Sequence, residues 1–168
     1  MSSETVENPV LEQLLEVVDK ELAELYGSEG YYRWGERAFM RMEGDVVLFL
    51  VASPLEDNAL FNVRSYLVRD VEKPDAELGN FLARLNADQL FGAFSIDEDA
   101  DVCFDYSVLG SAVTAKVIRL ALDVVAQAAD RYTATIIERW GGVTSLEKLR
   151  QELEHMDESA LDEDPAPN

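Results

Sequence analysis

Val46-Val47-Leu48-Phe49-Leu50-Val51 is apolar at every position, on both of the alternating faces that an extended chain presents. Such a run reads as an internal strand, or as one covered twice. The residues before it, Glu43-Gly44-Asp45, have the composition of a tight turn. Residues 36–43 and 46–53 therefore read as the two arms of a hairpin. A third strand follows over 60–69, alternating imperfectly and ending at Asp70. Toward the N-terminus, Asn8-Pro9 is a helix start, because Asn caps free amides and Pro at the first helical position loses no hydrogen bond. Val10, Leu11, Leu14, Leu15, Val18, Leu22 and Leu25 then recur at spacings of three and four until Gly27. That is an amphipathic helix in need of a partner surface.

Beyond the third strand, Lys73-Pro74-Asp75 opens a second helix whose Leu78, Phe81, Leu82 and Leu85 share one face, and Asn86-Ala87-Asp88 stops it. Two more strands occupy 91–96 and 102–108. In the latter, Val102, Phe104, Tyr106 and Val108 face one way, and Cys103, Asp105 and Ser107 the other. The longest periodic segment runs from Val113 to Trp140 and ends at Gly141-Gly142. A capping box, Thr144-x-x-Glu147, then begins a short last helix with Leu146, Leu149 and Leu153. The reading is an α+β domain: an antiparallel five-stranded sheet with helices packed on one face, in the order αβββαββα plus a short C-terminal helix. It forms a single domain over 1–156 with its core at about 9–142. Residues 157–168, with one sizeable apolar side chain, are expected to be a disordered acidic tail.

Composition bounds the function. The 168 residues carry 34 acids against 14 bases, a formal charge of −20, with the excess concentrated at the two ends. Nucleic acid and anionic lipid both require a basic patch, so neither is an expected partner. No apolar run approaches the length of a membrane span, and Met1-Ser2-Ser3-Glu4 has neither a basic nor an apolar leader region, so a cytoplasmic protein without a membrane role is expected. One cysteine excludes an internal disulfide and a cysteine-rich zinc site.

The search for chemistry finds little. Asp97-Glu98-Asp99-Ala100-Asp101 places oxygens at alternate positions, as a calcium loop begins, but Val102 and Val108 stand where glycine and glutamate are needed. It reads as a solvated turn between strands. The one histidine, His155, lies beside the acidic tail, and Cys103 has no neighbouring base. Neither phosphate-binding glycine motif occurs. No catalytic residue, cofactor or metal is expected. What remains is aromatic: Trp34, Phe39, Phe49 and Tyr66 fall on the first three strands, interleaved with arginines that include Arg41 and Arg64. One reading makes them ordinary core. The other makes Trp34, Phe39, Phe49, Tyr66, Arg41 and Arg64 an exposed face or groove that accepts a protein segment.

Several strings resemble those of the YbjN family. They are Phe81-Leu82-Ala83-Arg84-Leu85-Asn86 followed by Phe91-Gly92-Ala93-Phe94-Ser95-Ile96-Asp97, and Leu109-Gly110 with Ala129-Asp130-Arg131-Tyr132 and Trp140-Gly141-Gly142. The resemblance covers about residues 9–142. That family shares its αβββαββα fold with class I chaperones of type III secretion, of which CesT is one type. The resemblance implies a small, acidic, cytoplasmic, usually dimeric protein without catalytic residues that binds an extended segment of a partner. The expected function is therefore a non-enzymatic protein- or peptide-binding module, chaperone-like or regulatory, acting as a homodimer. A small-ligand-binding protein or an enzyme using carboxylates in a sheet cleft is the alternative. A third reading is a structural subunit whose apolar surface is consumed by its own dimer.

Overall fold

Each helix begins on a side chain that accepts a hydrogen bond from the amide three residues on, as free helix-start amides require. Asn8 Oδ1 accepts from Leu11 at 3.0 Å, Asp75 Oδ1 from Leu78 at 3.0 Å, Thr114 Oγ1 from Val117 at 3.3 Å and Thr144 Oγ1 from Glu147 at 3.1 Å. The computed structural model describes residues 8–161. Its elements are α1 (Pro9–Tyr26), β1 (Tyr32–Trp34), β2 (Ala38–Glu43), β3 (Val46–Leu55), β4 (Asn58–Val68), α2 (Ala76–Ala87), β5 (Ala93–Ile96), β6 (Val102–Leu109), a 3-10 turn at Gly110–Ala112, α3 (Ala115–Trp140) and α4 (Ser145–Leu161).

The strands form one antiparallel sheet in the order β1-β2-β3-β4-β6-β5. The sheet has six strands rather than the five expected. Tyr32–Trp34 adds a short edge strand, paired as Tyr32 with Met40 and Trp34 with Ala38. A second difference lies at the other end of the chain. The last helix is not short; it runs through Leu161, into the segment expected to be disordered. The remainder of that segment, 162–168, lies outside the described residues.

Alternation divides the sheet into two unlike faces. Along β4 the buried positions are Ala59, Phe61, Val63, Ser65 and Leu67, and the half-exposed ones between them are Leu60, Asn62, Arg64 and Tyr66. Leu48 and Leu50 of β3 and Phe104 and Tyr106 of β6 join the buried set. Against it pack Leu14, Val18 and Leu22 of α1 and Ile118, Leu122 and Val125 of α3. Leu78 and Leu82 of α2 close the end beside β5, where Phe94 meets the Phe104 ring edge-on at 4.6 Å and Tyr132 at 5.3 Å. Burying each such side chain contributes about 1.5–3 kcal/mol. A buried carboxylate on α1, Glu21, is neutralised by Arg119 of α3, which ties the two helices together.

Three residues of the strings that resemble the YbjN family, Asn86, Gly92 and Gly142, have structural roles in the fold. Asn86, at the end of α2, uses its amide like a strand: its Nδ2 donates to Phe94 O at 3.0 Å and its Oδ1 accepts from Phe94 N at 2.7 Å. Gly92 sits at φ +76°, where an added Cβ would lie 2.6 Å from the Phe104 ring. Gly142 sits at φ +99°, with Val68 and the Arg69 carbonyl equally close. Only glycine meets both demands. The next residue, Val143, then pairs with Arg69 and aims the chain into α4, which lies against β3 and β4.

Candidate functional site: the open face of the sheet

The face turned away from α1 and α3 is built in cross-strand rows. One row reads Trp34, Ala38, Val51, Asn62, Ser107; the next reads Tyr32, Met40, Phe49, Arg64, Asp105. Each row is apolar on β1–β3 and polar on β4–β6. Trp34 is 59% exposed, and Phe49, Val51 and Tyr66 are half-buried. The rings of Trp34 and Phe49 lie 6.1 Å apart, and Phe49 meets Tyr66 edge-on at 5.8 Å. Together they line a groove of about 740 Å³, within the range of binding clefts. At one end of this face Val47 is fully buried without belonging to the main core.

The polar half of the groove is satisfied internally. Arg64 donates from Nε to Asp105 Oδ1 at 2.6 Å and from Nη2 to Oδ2 at 3.2 Å, and its guanidinium stands 5.5 Å from the Tyr66 ring. The Asp105 hydrogen bond raises the Arg64 pKa above its ordinary value. Arg69 stands over the same ring at 4.8 Å while paired with Asp101 at 2.5 Å. Asn62 Nδ2 donates to Ser107 Oγ at 2.9 Å and to Asp105 Oδ1 at 3.2 Å. Both arginines near the rings thus already hold carboxylates. An occupant meets a neutral, hydrogen-bonding bank beside an aromatic one.

Of the six residues expected to form a binding surface, four come together here: Trp34, Phe49, Tyr66 and Arg64. Phe39 and Arg41 do not. Phe39 is 1% exposed and belongs to the core, opposite Leu50. Arg41 lies on that same side, 3.5 Å from the Tyr26 ring, with Nη1 donating to Gly30 O at 2.7 Å. The physical reason is the hairpin register. The two-residue turn Gly44-Asp45 sets Glu43 opposite Val46 and hence Met40 opposite Phe49, so Met40 shares the face of Phe49 while Phe39 and Arg41 point to the other. Groove residues not evident from the sequence include Val51, Asn62, Arg69 and Asp105, and the same register identifies Val51.

The calcium-like stretch is a turn in which the Asp97 and Asp101 carboxylates are engaged within the protein. Asp97 Oδ1 accepts from the Asp99 and Asp101 amides at 3.1 and 2.9 Å, and buried Asp101 accepts from the Asp70 amide at 2.8 Å. Cys103 is fully buried beside it, and burial pushes its thiol pKa up to about 12. Among the described residues no helix is long and apolar enough to cross a membrane.

No curated protein matches the chain. A family model described as "T3SS (YopN, CesT) and YbjN peptide-binding chaperone 1" matches residues 12–148, which span every strand of the sheet and α1 through the start of α4. The chain belongs to this family of peptide-binding chaperones.

Proposed function

We propose that the open face is where this chaperone holds its client, as an extended and largely apolar segment laid across the Trp34–Phe49–Tyr66 bank. The observation that carries this reading is an aromatic bank, with Trp34 exposed and Phe49 and Tyr66 half-buried, set beside polar groups already satisfied by one another. Apolar side chains of a segment gain by covering the rings, and its backbone amides and carbonyls have Asn62, Ser107 and Asp105 within the same groove. The neutralised arginines remove the need for an acidic client. A carboxylate enzyme finds no support here, because the groove's carboxylate, Asp105, is held by Arg64. We place the protein in the cytoplasm as a homodimer. Leu90, 90% exposed, and Phe91, 47% exposed, beside the edge strand β5 favour that assembly, since exposed apolar patches mark interfaces.

The test is selection of peptides from a random library of about fifteen residues on the full chain, followed by affinity measurement. Phe49→Ala and Tyr66→Ala should each weaken the selected peptide by about 2 kcal/mol or more, as central aromatic anchors do. Unchanged affinity in both variants would overturn the assignment.

A further inference from the structure

A second cavity, of about 700 Å³, lies between the β2–β3 turn and α3. Short side chains leave room there: Ser65 of β4 and Ala129, Thr133 and Ala134 of α3 all line it. Val46, Leu67 and Ile137 give it apolar walls. Its mouth is acidic, with Asp45 on the turn and Asp130 and Glu138 on α3. These three form no ion pair among the described residues, whereas Glu43, also at the mouth, lies 3.8 Å from Arg41. Inside, Ser65 is 1% exposed and its Oγ has no hydrogen-bond partner. Buried hydroxyls are nearly always partnered, so one left open in a cavity wall marks a position for a ligand's polar atom.

Charge, hydrocarbon and hydroxyl lie in sequence from mouth to interior. Among the described residues no cluster of His, Cys, Asp and Glu could hold a metal ion, and the separated carboxylates at the mouth suit an organic cation. A whole-molecule charge of −20 raises the local concentration of such cations further.

We propose that this cavity binds an aliphatic primary amine carrying a second polar group. The ammonium lies among Asp45, Asp130 and Glu138, the hydrocarbon against Val46, Leu67 and Ile137, and the second polar group at Ser65 Oγ. The experiment is calorimetric titration of the full chain with 8-amino-1-octanol, octylamine and 1,8-octanediol. The amino alcohol should bind at least about tenfold more tightly than the diol, which lacks the charge, and about threefold more tightly than octylamine, which lacks the hydroxyl. Asp130→Asn with Glu138→Gln, both at exposed helix positions, should erase the first preference. Ser65→Ala should erase the second and leave the first. Raising the salt should weaken the amine and not the diol. Equal binding of amine and diol, no binding of any probe at millimolar concentration, or ratios unchanged in the variants would overturn the proposal. Phe49→Ala should leave all three affinities as they are; their loss would place the amine on the open face instead.

Discussion

Phe39 and Phe49 stand on neighbouring strands and have opposite fates. Phe39 is enclosed between the sheet and the helices, with Tyr31 at 6.1 Å, whereas Phe49 lies between Trp34 and Tyr66 on the other face. Phe39→Ala should therefore cost about 3–5 kcal/mol of unfolding free energy in denaturant titration, the range for a core Phe truncation. Trp34→Ala, at an exposed edge, should stay within about 0.5 kcal/mol. Cys103 allows a prediction in pH. Burial raises its thiol from an ordinary 9.0 to about 12, so the folded state favours the neutral form. That stabilisation is fully present below pH 9 and is lost as pH rises from about 9 through 12. Stability should fall across that window in the native chain and fall less in Cys103→Ala. At pH 8 a thiol reagent should label the unfolded chain at once and the folded chain slowly.

Between elements, the most economical junction is Asn86, which replaces a missing strand neighbour for Phe94. Asn86→Ala removes both hydrogen bonds and should cost about 1–3 kcal/mol, with faster hydrogen exchange at the Phe94 amide as its local signature. Element by element, the sequence was legible where periodicity was long. The capping residues, the hairpin and the three amphipathic helices all announce themselves in the spacing of apolar residues. β1 does not, because three exposed residues between a turn and Gly35 leave no period to read. α4 continues past Leu153 because Met156 and Ala160 extend the three-and-four spacing of Leu146, Leu149 and Leu153, a periodicity that the acidic composition of 157–164 masks. The candidate site was legible in composition and not in direction. Aromatics and arginines on strands are visible in the sequence, but which face each occupies depends on the hairpin register set by the Gly44-Asp45 turn. Asp105 joins the groove through the pairing of β4 with β6, which no local pattern encodes, and Arg69 lies just past the register irregularity between Tyr66 and Val68.

For the whole molecule, the account rests on a sheet with one face committed to its own core and the other left open. The edge at β5 is a separate feature, and sedimentation equilibrium at tens of micromolar should give twice the chain mass, reduced to a monomer by Leu90→Asp with Phe91→Asp; a monomer in the native chain would remove the dimer from the account. The open face is tested most directly by its own tryptophan. The chain has two, Trp34 exposed on the groove and Trp140 buried against Phe81 at 5.3 Å. Labelled with 5-fluorotryptophan, it gives two fluorine resonances, assigned by Trp34→Phe. On titration with a library-selected peptide, the Trp34 resonance should shift in proportion to occupancy while that of Trp140 stays in place. A saturating peptide that moves Trp140 and leaves Trp34 unshifted would contradict the assignment of the client to this face.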